Sequence, residues 1–291
     1  MEKTLSRAAD FIWRSVRLLD RHRFAYLFMR GDAYPVLAAL RPYANRDGGF
    51  GNSLEPDLRA PVSQPVPVWS AFEVLDEIDA MDDPMVQGAC DYLVTITRPD
   101  GGVPFMLPTA RPFPRAPWWE TDDDPPGGLL PTAGIAAHLH ANGIDHPWLG
   151  PATDFCWRQI DALDQTSAYE MRMVLPFLEH VDDRARAEDA VARVGPKLFE
   201  QNIVELDPDV PGEIHTPLDF APRPDSIARP LFADADIDAH LDALAAGQRD
   251  DGGWMFNWRE WSPAATQEWR AALTIAALST PQAYDRLRPG L

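Results

Sequence analysis

Asp-Gly-Gly occurs three times in this chain, each time at the foot of a helical run. The three copies are Ala44-Asn45-Arg46-Asp47-Gly48-Gly49-Phe50, Thr97-Arg98-Pro99-Asp100-Gly101-Gly102-Val103 and Gln248-Arg249-Asp250-Asp251-Gly252-Gly253-Trp254. The glycines supply the positive φ that a sharp reversal needs, and the next side chain is handed back against the helix. Asp47 and Asp100 are 53 residues apart, and Asp100 and Asp251 are 151 apart, close to three further steps of about fifty. A turn repeated in one register marks a repeat architecture.

Gln-x-x-Asp-Gly-Gly-Trp after a Leu/Ala-rich helix resembles the repeat motif, the QW motif, of the terpenoid cyclases and protein prenyltransferases. Gln248 to Trp254 match it fully; the first copy has Ala44 and Phe50 in the Gln and Trp places, and the second has Thr97 and Val103. The resemblance, squalene–hopene cyclase-like in kind, implies an all-α fold: an (α/α)5–6 toroid. In such a fold inner and outer helices alternate around a central cavity, here in a single ring forming one domain over 1–291. It does not by itself imply a reaction.

Apolar residues at helical spacing fill in the pairs. Ala8, Phe11, Ile12, Ser15, Leu18 and Leu19 predict a first inner helix over 5–28, and Asp32 starts the outer helix that ends in the first turn. The second inner helix is expected over 66–78, and Asp82-Asp83-Pro84 opens its outer partner in the manner of a capped helix start. Further pairs are expected at 129–142 with 148–163 and at 166–180 with 184–201. The segment 204–230 is irregular and stands only partly in the place of a fifth inner helix, before an outer helix over 234–247. A last inner helix over 263–278 leaves only the tail 281–291 for a sixth outer one. The longest break, 104–128, is crowded with Pro and carries Trp118-Trp119-Glu120-Thr121-Asp122-Asp123-Asp124. Long loops of this kind are lids or binding loops, and two adjacent tryptophans argue against plain disorder.

A formal charge of −19 argues against nucleic-acid and anionic-membrane partners. Cys90 and Cys156 lie in helical runs and offer no disulfide framework, which points to a reducing, cytoplasmic setting. The N-terminal run reads as an amphipathic helix with charges throughout, neither a signal peptide nor a spanning segment.

In a ring of helix pairs, every connection from an outer helix to the next inner one emerges at the same end. That end collects Glu55, Glu120, Asp122, Gln165, His215 and the run Trp258-Arg259-Glu260-Trp261, whereas the opposite connections are short. Aromatic and acidic loops at one mouth of a concavity are the expected site. Class II terpenoid cyclases protonate an alkene with the central Asp of Asp-x-Asp-Asp, and aromatic rings then steady the carbocation. The resemblance therefore directs attention to Asp122, Asp123 and Glu120 as candidate acids, with Trp118, Trp119, Glu55, His215, Trp258 and Trp261 as candidate ligand contacts.

His180-Val181-Asp182-Asp183 has only the outline of that motif and reads as a helix cap. Asp154-Phe155-Cys156 with His215 imitates the zinc set of the protein prenyltransferases, but Cys156 reads as core, so no metal site is expected. No cofactor is expected either, with magnesium called for only if a diphosphate is bound; Arg111 and Arg115 would hold one, or would pair with the acids. The ligand implied is small and apolar, an isoprenoid. Paired carboxylates with Trp platforms suit a carbohydrate-active toroid equally well, and a non-catalytic ring that binds a small molecule or a protein is the third reading.

Overall fold

A computed structural model describes residues 2–287. The first helices are α1 (Glu2–Ser15), α2 (Leu18–Met29), α3 (Ala33–Leu40), α4 (Pro65–Glu77), α5 (Pro84–Ile96), α6 (Leu129–Ala141) and α7 (Leu149–Asp161). They are followed by α8 (Ala168–His180), α9 (Arg184–Val194), α10 (Lys197–Glu200), α11 (Pro217–Phe220), α12 (Asp234–Ala246) and α13 (Pro263–Ala283). No strand occurs among the described residues; three isolated bridges are the only extended pairings there. The all-helical class read from the turns stands.

The helix starts follow their local chemistry. Asp83 accepts from Met85 N at 2.9 Å with Pro84 in the first turn of α5, and Ser167 accepts from Glu170 N at 3.2 Å at the start of α8. Asp183 accepts from Arg186 N at 3.2 Å, so the Asp182-Asp183 pair does serve as a cap.

Two helices differ from the sequence reading. The single helix expected over 5–28 breaks at Val16 and Arg17 into α1 and α2. Arg17 is extended at the break, and its Nε donates to Asp20 Oδ2 at 2.7 Å while Arg23 Nη1 reaches Oδ1 at 3.2 Å. Asp20 is wholly buried in the first turn of α2, and two guanidiniums balance its charge. The helix expected over 184–201 stops at Gly195 and restarts as α10, because Pro196 brings no N–H to continue it. Within 204–230 only α11 and a short 3-10 turn, Arg229–Leu231, are helical, as the irregular composition suggested. The last four residues of the 281–291 tail lie outside the described residues.

Two compact units divide the chain: Met1–Ala39 with Leu198–Leu291, and Leu40–Lys197. In the second, α6 packs against α4, α7 and α8, and α8 against α9; most of α6 is buried. In the first, α1 packs on α2 and α13, and α12 on α11 and α13, around a core that includes Phe11, Ile12, Phe24, Trp254, Ile275 and Leu278.

The three Asp-Gly-Gly turns share one hydrogen-bond pattern. The residue two before Asp donates to the second Gly carbonyl at 2.8 Å in each: Asn45 to Gly49, Arg98 to Gly102, Arg249 to Gly253. The Asp side chain accepts from the second Gly N–H at 3.0 to 3.1 Å. The first Gly has φ of 88°, 92° and 97° in turn. Each also rests on a helix: a Cβ would stand 2.2 Å from Gly88 O of α5, 2.4 Å from Pro151 O of α7, or 2.0 Å from Arg7 O of α1. Trp254 folds back on α12, its indole donating to Leu244 O at 2.8 Å. The N-terminal helix thus stands to the third turn as α5 and α7 stand to the first and second. That is a correction to the sequence reading, which put it first among the inner helices.

Candidate functional site

The stretch after the first turn doubles back through the interior. Leu54 and Leu58 are buried, and they carry Glu55 and Asp57 in with them, each only 4% exposed. Asp57 N donates to Glu55 Oε1 at 3.3 Å. A short antiparallel pairing ties this stretch to the long loop: Arg59 N donates to Pro114 O at 2.9 Å and Ala116 N to Asp57 O at 2.8 Å. Gln64, at the start of α4 and wholly buried, completes the tie. Its Oε1 accepts from Leu107 N at 2.8 Å, and its Nε2 donates to Thr109 Oγ1 at 2.9 Å and Ser63 O at 2.8 Å. Both amide hydrogens and the carbonyl oxygen of this buried side chain thus have partners, which is what burial requires.

The long loop is held in shape by its own arginines. Arg115 Nε donates to Trp119 O at 2.7 Å, and Nη1 donates to Arg111 O at 2.8 Å and Phe113 O at 3.4 Å. Arg111 donates to the Thr121 carbonyl and pairs with Asp123, and Arg98 pairs with Asp124. Thr121 Oγ1 donates to Met106 O at 2.6 Å. Guanidiniums directed at carbonyls in a fixed fork make the loop a built feature. A pocket of about 410 Å³ opens on it, lined by Phe113, Pro114, Arg115, Ala116, Pro117, Trp119 and Glu120, a volume within the range of small-molecule sites.

In the same unit as Glu55, Trp119 is buried with its ring 4.6 Å from Phe105, whereas Trp118 is 44% exposed. Glu120, Asp122 and Asp123 are exposed, the Asp123 side chain at 95%. Their candidacy as acids had burial as its premise, and these carboxyls stand in solvent, with Asp123 already paired to a guanidinium. His215, Trp258 and Trp261 belong to the other unit. There Trp258 stacks on Phe256 at 4.5 Å and meets the edge of Trp269 at 5.4 Å, and the His215 ring lies 6.3 Å from Phe220. Cys156 is fully buried and its thiol is pushed up by that burial, and Cys90 is pushed up to about 12, so both behave as core. Among the described residues no group of three His, Cys, Asp or Glu could hold a metal ion, and no helix is long and apolar enough to cross a membrane.

Sequence reasoning missed Asp57 and Gln64. The visible signal for Asp57 was two acids set between Leu54 and Leu58. Gln64 gave no local signal, because its partners lie more than forty positions downstream.

No protein-family model and no curated protein matches the sequence. Solved structures do. A protein from Actinoplanes matches at a TM-score of 0.64 and 15% identity, over 98% of this chain and 99% of that one. A variant of the type II terpene cyclase MstE from Scytonema, in complex with geranylgeranyl dihydroxybenzoate, matches at 0.57 and 13% identity over 98% of both chains. Another variant of that cyclase, in complex with merosterolic acid A, matches at 0.53 and 13% identity over 98% of this chain and 87% of that one. The chain shares the fold of these proteins. At such identities the likeness speaks for fold and leaves the chemistry to the residues.

Proposed function

We propose that this chain handles an isoprenoid ligand and acts as a protonation-initiated cyclase of the type II kind, as one α/α-toroid domain. The observation that carries the reading is the fold likeness over 98% of both chains to a type II terpene cyclase variant in complex with its substrate, geranylgeranyl dihydroxybenzoate. Such chemistry needs a carboxylic acid that keeps its proton near neutral pH, gives it to an alkene carbon, and leaves a carbocation to be attacked by a second double bond. A proton is then lost from the cyclised cation. Burial keeps a carboxyl protonated by penalising its charged form. Glu55 and Asp57 are buried acids two residues apart on the loop that pairs with the long one, which makes them the candidates for such a group. The donor is therefore placed in this pair, ahead of Glu120, Asp122 and Asp123.

The test incubates the protein with linear polyprenyl substrates, free and head-group-linked, with and without magnesium, and analyses products by mass spectrometry. Cyclic product is expected without magnesium. It should fall by about a hundredfold or more in Glu55→Gln or Asp57→Asn and persist in Asp122→Asn and Asp123→Asn. Loss tracking Asp122 or Asp123 would return the donor to the long loop. No cyclic product from any chain length would end the cyclase reading.

A further inference from the structure

The pocket on the long loop has a composition of its own. Phe113, Pro114, Pro117 and the nearly buried ring of Trp119 contribute to its lining, and the surface it presents is more polar than apolar. Two charged groups of opposite sign reach it, Arg115 and Glu120. Arg115 spends Nε and Nη1 on the carbonyls of Trp119, Arg111 and Phe113, and among the described residues no partner takes Nη2. Glu120 is exposed, and among the described residues its carboxylate has no partner. One donor and one acceptor of balanced charge in a mostly polar pocket, with proline and aromatic side chains beside them, suit a neutral ring that carries hydroxyls. Such a ring stacks its faces on Pro and Trp, gives a hydroxyl hydrogen to the carboxylate and accepts from the guanidinium. A diphosphate fits poorly, because Glu120 repels it and the other loop arginine, Arg111, is committed to Thr121 O and Asp123.

We infer that this pocket is a subsite for a neutral hydroxylated ring, with Glu120 as hydrogen-bond acceptor and Arg115 as donor. The inference rests on the proposed cyclase reading only in taking the ring as the polar end of the ligand; the binding chemistry stands apart from any turnover.

The experiment titrates the full chain with resorcinol, methyl α-glucopyranoside and inorganic diphosphate, following tryptophan fluorescence and confirming by calorimetry. Saturable binding of at least one ring is expected, and the arm that saturates tells a phenol from a sugar. Glu120→Gln, an exposed change that leaves the loop's internal bonds in place, should weaken ring binding by about tenfold, the effect of removing a charged acceptor. Arg115→Lys should weaken it too, and limited proteolysis of the loop reports whether that variant keeps its shape. Trp13→Ala, an exposed tryptophan of the other unit, should leave binding unchanged. No ring saturating, ring binding indifferent to Glu120→Gln, or diphosphate competing with the ring would each overturn the subsite. Because only binding is read, a negative cyclisation assay beside positive ring binding would overturn the cyclase reading alone.

Discussion

A Cβ on Gly252 would stand 2.0 Å from the Arg7 carbonyl oxygen, and the residue holds φ at 97°. Gly143 has a positive φ of 60° but nothing within 4 Å of a new Cβ. The two glycines separate backbone strain from steric exclusion. Gly143→Ala should cost about 1 kcal/mol, the price of a left-handed alanine. Gly252→Ala carries strain plus a clash with helix backbone, and should cost roughly 3 kcal/mol or more. Denaturant midpoints would measure both; equal losses would mean that α1 yields freely to the turn. This scale was the most legible in the sequence, because few residues besides glycine accept such a φ, and the need is written in the residue itself. Buried acids were less so. Asp57 is interior because its neighbours pair with 114–116, and nothing within its own neighbourhood encodes that partner. The same long-range dependence hid the exposure of Asp122 and Asp123, whose acidity reads the same on a buried loop or an open one.

Among elements, the C-terminal ends of α4, α6 and α8 gather charged groups. His138 Nδ1 lies 2.8 Å from Asp76 Oδ2, and Asn142 Nδ2 donates to Asp76 Oδ1 at 2.8 Å. His140 Nε2 lies 2.8 Å from Thr153 Oγ1, with its ring 5.8 Å from Phe177. Burial holds the His140 imidazole below its ordinary value; Asp182 pushes it back up in part, and His180 adds to the lowering. Burial also pushes the Asp76 carboxyl up, but the bonds from His138 and Asn142 outweigh it and hold the group below its usual value. In both cases the folded value is the depressed one, so the unfolded chain takes up the proton first. Stability is therefore full above the ordinary values and is lost as pH falls, for His140 just below about 6.5 and for Asp76 below about 4. Melting temperature in His140→Gln should fall less steeply than in the parent between about pH 7 and pH 5. Parallel slopes would remove His140 from the account. Element positions were legible where Pro or a capping Asp marks a start, as at Asp83-Pro84. They were not legible at Val16-Arg17, where apolar spacing runs through the break and only the buried Asp20 between two arginines betrays it.

Across the whole molecule, the repeat was readable because the period lives in turn residues, whereas the division of the chain was not. Of its two compact units, one is assembled from both ends of the sequence, and no composition shift marks the boundaries at 39 and 198. The expectation of a single domain over 1–291 makes a prediction about cooperativity. The third turn, its Arg7 contact and the Phe11–Trp254–Ile275 core all belong to the unit that contains both termini. Gly252→Val therefore places its damage in that unit alone, with a β-branched side chain set against helix backbone. If the chain folds as one domain, the far-ultraviolet circular dichroism of this variant should melt in one transition. The whole amplitude should then move to lower temperature, as for a single two-state domain. Tryptophan fluorescence should report the same midpoint, because both units carry tryptophans, among them Trp254 and Trp269 in one and Trp148 and Trp157 in the other. If the units are separate domains, only part of the dichroism should move and the rest should melt where the parent does. A biphasic curve for Gly252→Val beside a single transition for the parent would sink the single-domain proposal, because damage confined to one cooperative unit leaves the melting of an independent one in place.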